Sequence, residues 1–275
     1  MGSEDVVEAD RTKIDTTVAH PARRYNYWLG GKDNFQADRE SGDAIAAAFP
    51  SVRIAALENR AFMRRAVTLL VETGVRQFLD IGTGIPAPDN THEIAQAIAP
   101  ESRVVYVDND PIVLAHARAL LNSSPQGATA YIEADVRDYP KLLDHPDLVR
   151  TIDMTRPVGL LLVAIMHFIR DTEDPGSIVA GLIDALPSGS YLVLSHAASD
   201  HWSEEGLARL LNPEAQAQHG ALRPRSRADL AGYTRALELL EPGIVSAAEW
   251  RADGEPEPRP SAEEVSINAL VGRKP

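Results

Sequence analysis

Apolar and polar positions along the chain change period near residue 76. Upstream, Ile54, Leu57, Met63, Val67, Leu70 and Val71 recur at helical spacing, which predicts a helix over 52–73 closed by Gly74. Two shorter helices precede it. One covers 22–29, opened by Pro21 and ended by Gly30-Gly31, and the other covers 36–48 and stops before Pro50. From Gln77 onward, short apolar runs at 77–81, 103–108, 129–133, 158–164 and 190–196 alternate with helical stretches near 90–99, 111–121, 141–150 and 174–186. The run Val158-Gly159-Leu160-Leu161-Leu162-Val163-Ala164 is apolar throughout, as a central parallel strand covered on both faces must be. Residues 200–241 read as helical. Two last strands, 244–247 and 265–271, flank a polar, proline-rich loop. The pattern predicts an α/β fold: a doubly wound, mostly parallel seven-stranded sheet with a helical N-terminal extension. Residues 1–75 form a polar tail and helical cap, and 76–275 form the sheet domain, the two making one structural unit.

The first strand and the turn after it, QFLDIGTGIPAPDNTHE, hold the most specific chemistry. In a doubly wound sheet the ligand binds where the first strand turns into the first helix. Gly82, Thr83 and Gly84 make that turn, with glycine where a Cβ would obstruct the chain or the ligand. The letters GTGIPA also fit a dinucleotide fingerprint. Pro86 and Pro88, however, fall where a diphosphate would need backbone N–H donors, and proline has none. Asp80 at the strand's end would repel a diphosphate and attract an ammonium group. S-adenosylmethionine carries an amino acid, a nucleoside and a sulfonium but no phosphate, and it is preferred to NAD.

Two further acids extend the pattern along successive strand tips. Asp108, with Asn109 beside it, ends the second strand and is placed to accept from both ribose hydroxyls; helix capping by Asn109 or Asp110 before Pro111 is the structural alternative. Asp135 follows the third strand and is assigned to the exocyclic amine of adenine, with Val136 packing on the ring. Ala164, at the end of the fourth strand, completes the predicted cofactor contacts on the sheet. Just beyond it, His167 is the candidate catalytic group, either a base or a wall of the acceptor pocket.

Composition narrows the chemistry. The chain has 275 residues and no cysteine, so disulfides, thiolate metal sites and cysteine nucleophiles are excluded. Net charge is −13, and no basic run exceeds a pair such as Arg23-Arg24, so nucleic acid is a poor partner and a small-molecule acceptor a better one. No apolar run reaches membrane-spanning length and the first residues are acidic, so a cytoplasmic location is expected. No histidine pair has metal-ligand spacing, and no metal is expected. Nothing in the sequence indicates the oligomeric state.

The strings DIGTG, VDNDP and ADVRD together resemble the class I S-adenosylmethionine-dependent methyltransferases. More narrowly, RRYNYWLGGKDNF followed by QFLDIGTGIPAPDNTHE resembles a family of S-adenosyl methyltransferases that pairs such a helical lead with such a turn. The resemblance runs from about Val18 to Val271 and implies a Rossmann-like methyltransferase fold with S-adenosylmethionine as cofactor and S-adenosylhomocysteine as product. It leaves the acceptor open. On this reading the lead segment folds over the sheet edge toward the methionine end of the cofactor. Gly31 and Lys32 are then contacts there, and Tyr27 or Tyr25 lies near the sulfonium, where an aromatic face attracts a cation. The expected function is in-line methyl transfer to a small molecule. The alternatives are a cofactor-binding protein without transfer activity and an NAD-dependent oxidoreductase.

Overall fold

The computed structural model describes residues 15–120, 123–214, 216 and 220–275; the predicted polar tail lies largely outside them. Among the described residues three helices come first: α1 (Pro21–Trp28), α2 (Gln36–Ala48) and α3 (Val52–Glu72). Pro21 starts α1, where its missing N–H costs nothing, and His20 precedes it at the N-cap in an extended conformation. Asp38 accepts from the Phe35 N–H at the head of α2.

Five parallel strands form the centre: β1 (Gln77–Ile81), β2 (Arg103–Asp108), β3 (Ala128–Glu133), β4 (Gly159–Val163) and β5 (Tyr191–Ala197), in the spatial order β3-β2-β1-β4-β5. The order reverses at β1, so the crevice opens beside the tips of β1 and β4. The crossovers are α4 (Thr91–Ile98), α5 (Pro111–Leu120), α6 (Tyr139–Leu143), α7 (Pro146–Thr151) and α8 (Pro175–Ala185). The single helix expected over 141–150 is two, because Pro146 cannot donate within a helix and instead opens a new one.

The far edge differs from expectation as well. Among the described residues the sheet has eight strands rather than seven: β8 (Ile267–Arg273) runs antiparallel to β5, and two-residue strands β6 (Glu238–Leu239) and β7 (Val245–Ser246) both pair with β8. Pro242 and the left-handed Gly243 (φ 79°) separate the two short strands, one lacking an N–H and the other turning the chain away. The stretch expected to be helical over 200–241 therefore contains β6, with α9 (Glu204–Leu210) and α10 (Arg227–Tyr233) before it. The last helix, α11 (Ala262–Val265), leads into β8.

Alternation along β1 sorts its residues between two cores. Phe78 packs with Phe62, Leu70, Val104 and Leu161 under α3, whereas Leu79 and Ile81 pack with Val105, Leu160 and Leu162 on the opposite face. Asp80 shares a face with Phe78, so its carboxylate points to the α3 side. That placement determines which residues can meet it.

Candidate active site

A cavity of about 620 Å³ lies over the carboxyl ends of β1 to β4, roofed by α1 to α3 and by the segment after β5. Its floor is the glycine turn. Gly82 (φ 76°) and Gly84 (φ 70°) both take the left-handed conformation. A Cβ on Gly82 would lie 2.7 Å from Ile165, so Gly82→Ala is expected to displace the loop after β4 and lower both thermal stability and cofactor affinity. Thr83 Oγ1 donates to the Asp80 carbonyl at 3.0 Å and ties the turn to the strand.

Asp80 is buried and accepts a 2.6 Å hydrogen bond from Thr91 Oγ1. Burial pushes its carboxyl up to about 6, with the neighbouring Asp108 adding to the rise and Thr91 and Arg60 opposing it. Asp108 accepts from the N–H groups of Gly84 (2.8 Å) and Asp110 (2.9 Å), one on each oxygen, and burial raises it too. Each oxygen keeps a lone pair. Asp110 caps α5 through the Ile112 N–H, so the acid and the cap of the second strand are separate residues.

The backbone donors that a diphosphate would use are already committed. At the head of α4 the Asn90 N–H donates to Glu93 and the His92 N–H to Tyr106 Oη at 2.8 Å, while the Gly84 N–H donates to Asp108. The turn therefore offers a carboxylate where a dinucleotide fold offers free N–H groups.

Asp135 lies on the cavity wall, but its carboxylate is clasped by Arg137 (2.8 Å to one oxygen, 3.0 Å to the other) and approached by Asn109 Nδ2 at 3.2 Å. It also caps the short turn after it by accepting from the Arg137 N–H. Val136 is buried beside it and lines the cavity. Ala164 lines the cavity with φ 55°, a conformation rare for a residue with a Cβ; its N–H donates to Ser195.

His167 is buried on the cavity wall, and its Nδ1 accepts from the Ala197 N–H at 3.2 Å. With Nδ1 accepting, the ring proton belongs on Nε2. Burial, together with His196 and Arg225 nearby, holds the imidazole well below its usual pKa. The ring is thus a neutral donor, which suits a pocket wall better than a general base, the other role expected from sequence. Arg225 fixes this loop by donating to the carbonyls of Met166 and Ile169 and to Asp171.

The lead motif meets the cavity through a different face from the expected one. Tyr27 Oη donates to Asp43, and Arg53 lies over its ring; Gly31 packs against the Asn26 side chain, and Lys32 is exposed. None of the three lines the cavity, whereas Arg24, Tyr25 and Trp28 do. Residues 25 and 27 sit about 200° apart around a helix of 3.6 residues per turn, so only one can face inward. Burial lowers the Arg24 guanidinium to about 10, with Asp38 opposing the shift.

One cavity residue stands in no motif of the sequence. Asn59, on α3, is 1% exposed; its Nδ2 donates to Tyr25 Oη at 3.0 Å, and its Oδ1 has no partner. It lies one helical turn from Met63, whose sulfur sits against Thr91, the partner of Asp80. A buried acceptor left unpaired is costly, and in a cavity also lined by the Asp80 carboxylate a cationic donor would suit both. The α-ammonium of S-adenosylmethionine supplies one, so these residues fit that cofactor.

The sequence profile of a family described as S-adenosyl methyltransferase matches residues 7–275. The chain belongs to this family. S-adenosylmethionine is accordingly its cofactor. A crystal structure of a DUF574-family protein from Streptomyces avermitilis is 46% identical over 95% of this chain and 99% of that one, with a TM-score of 0.88. A crystal structure from Thermobifida fusca, described as that of a candidate methyltransferase, is 39% identical over 94% and 96%, with a TM-score of 0.85. An O-methyltransferase family protein from Burkholderia thailandensis, 15% identical with a TM-score of 0.50 over 87% of this chain and 62% of that one, shares the fold. No curated protein matches the sequence. Membership in the family confirms the fold and cofactor expected from DIGTG, VDNDP and the lead motif. Among the described residues no helix is long and apolar enough to cross a membrane, and no group of three side chains is arranged to hold a metal.

Proposed function

We propose that the chain is an S-adenosylmethionine-dependent methyltransferase acting on a small molecule, with Asp80 and Asn59 receiving the methionine ammonium. The observation that carries this reading is a cavity lined both by a buried carboxylate, Asp80, at a glycine turn and by the side chain of Asn59, whose amide oxygen is buried and unpartnered. Asp108 receives the ribose, Val136 packs on adenine, and Gly82 and Gly84 let the backbone approach closely. When bound, the cofactor supplies an electrophilic methyl group on sulfur. The protein's part is to bind, to orient and to exclude water. Positioning alone accounts for a large share of such a rate enhancement, and the neutral His167 orients an acceptor without needing to remove a proton.

Calorimetry tests this reading. The wild-type protein is expected to bind S-adenosylhomocysteine and not NAD; NAD binding in its place overturns the proposal. Asn59→Leu is expected to weaken S-adenosylhomocysteine by ~1–3 kcal/mol, the cost of a lost buried polar contact. Binding of 5′-methylthioadenosine, which lacks the amino acid, should change little. Equal losses for both ligands would assign Asn59 a structural role.

Affinity for S-adenosylhomocysteine is also expected to depend on pH through Asp80. Its raised carboxyl is ionised above about 6 in the free protein, so binding is strongest there. As pH falls through about 6 a proton must be expelled before the ammonium can pair, and affinity drops. Calorimetry between pH 5 and 8, in buffers of differing ionisation heat, detects the proton released.

A further inference from the structure

In the reading above the cofactor takes the sheet side of the cavity, and the opposite side is built from the two segments that lie outside the sheet. The lining face of α3 carries Val52, Ala55, Ala56 and Asn59, which recur at helical spacing. From Asn59, at the methionine end, to Val52 is on the order of 10 Å along the helix. At the Val52 end the wall becomes aromatic. Trp28 donates its indole N–H to the Gly42 carbonyl at 3.2 Å, which ties the end of α1 to α2. Ile45 and Phe49 come after Gly42 at near one-turn intervals, and the Phe49 ring lies 5.5 Å from that of Trp202, on the segment after β5. All four side chains line the cavity and are only partly buried.

Most charged groups of the cavity have partners of their own, and Arg170, which also lines it, is exposed to solvent. Asp80 and Asp108 serve the cofactor in the reading above, and Arg137 pairs with Asp135 and Glu173. Arg60 donates to the carbonyls of Pro88 and Asp89, and Arg24 sits beside Asp38. Trp28 has spent its one polar hydrogen on Gly42. The four side chains that wall this lobe are thus uncharged and mostly large apolar rings, with two alanines beneath them. A neutral molecule that covers such a surface gains from removing it from water, while a charged one loses its hydration without compensation.

We propose, on the basis of the methyltransferase reading, that the acceptor is a neutral, flat, aromatic molecule lying in the slot walled by Trp28, Ile45, Phe49 and Trp202. Rings suit rings here, since offset or edge-on aromatic contacts add to simple burial. The acceptor's reacting heteroatom faces the cofactor sulfur, with the neutral His167 among the polar groups within the same cavity.

The test uses the full chain saturated with S-adenosylhomocysteine and titrated calorimetrically at pH 7 with three probes: 2-naphthol, the 2-naphthoate anion and 1-octanol. Saturable binding of 2-naphthol is expected, with the anion and the alkyl alcohol at least tenfold weaker, a difference of about 1.4 kcal/mol. Phe49→Ala and Trp202→Ala should each weaken 2-naphthol by about tenfold, as aromatic anchors do. Both variants should bind S-adenosylhomocysteine within about twofold of wild type, which also shows that they are folded. Binding of naphthoate or octanol as tight as that of naphthol would overturn the proposal, as would no naphthol binding by a protein that binds S-adenosylhomocysteine. Failure to bind S-adenosylhomocysteine at all would instead overturn the methyltransferase reading itself.

Discussion

Asp80→Asn is expected to weaken S-adenosylhomocysteine binding by ~2–5 kcal/mol, the usual cost of truncating one partner of a buried charge pair. The change keeps the shape of the side chain and an oxygen that can accept from Thr91 Oγ1, so the turn itself should persist. What it removes is the negative charge opposite the ligand's ammonium. Binding of 5′-methylthioadenosine should therefore be close to unchanged. The variant should also lose the fall in affinity near pH 6, because the titrating group is gone. Stability should move the other way. Asp80 is raised to about 6 in the folded chain, well above the usual carboxylate value, so its ionised form disfavours folding at neutral pH and that penalty fades as pH falls through about 6. At pH 7.5 the Asp80→Asn variant is thus expected to melt no lower than wild type, and higher if the penalty is fully relieved. Calorimetry with both ligands and thermal denaturation at pH 7.5 and 5 check these outcomes together. A variant that melts far lower, or loses both ligands alike, would mean that Asp80 supports the turn rather than the cofactor.

Much of this arrangement is legible in the sequence, because strand chemistry is local. A run such as Phe78-Leu79-Asp80-Ile81-Gly82 states its own strand, its end and the residue left at the tip. The alternation of strands and helices then orders the tips along one edge, which places Asp80, Asp108 and Asp135 together on one cavity wall. The use each acid is put to is less local. Asp135 has the expected position, yet Arg137, two residues on, takes both its oxygens. A neighbour two residues away is visible in the letters, but its rotamer is not.

The roof of the site is the least legible part, since it depends on how helices rotate against the sheet. The glycine-rich string after Trp28 draws attention, but it is a turn held by Asn26, whose Oδ1 accepts from the Asp33 N–H and from Asn34 Nδ2. The cavity is lined instead by the inward face of α1 and by Asn59, a polar residue within an otherwise ordinary amphipathic helix. Its only trace in the letters is a polar residue in register with Ala55, Ala56 and Met63. The far edge is hidden for another reason: two-residue strands carry no period, so β6 and β7 are defined only by the ladder that β8 offers them.

The contact that holds this roof down is expected to carry the largest effect on stability. Asp110, at the tip of β2, accepts from Arg23 Nε at 3.0 Å and lies 3.0 Å from His20 Nδ1, while its other oxygen caps α5 through the Ile112 N–H. Burial alone would raise this carboxyl; the His20, Ile112 and Arg23 hydrogen bonds outweigh it and hold the group at about 2. Asp110→Ala would leave Arg23 buried with only Asp38, 3.9 Å away, as a counter-charge. Breaking a buried pair from one side costs ~3–5 kcal/mol, and loss of a helix cap adds about 1 more. Because the folded pKa is depressed, the pair's contribution is complete above the unfolded value of ~3.9 and is lost as pH falls toward about 2. The gap in stability between wild type and Asp110→Ala should therefore be constant from pH 7 to 5 and shrink at pH 3, which urea denaturation at the three values measures. Asp110→Asn, which retains an acceptor for Ile112, should lose less. Since α1 also positions Tyr25 against Asn59, the alanine variant should bind S-adenosylhomocysteine more weakly even where it remains folded. A gap that stayed the same at pH 3 would assign the stabilisation to packing around Arg23 instead of to the charge on Asp110.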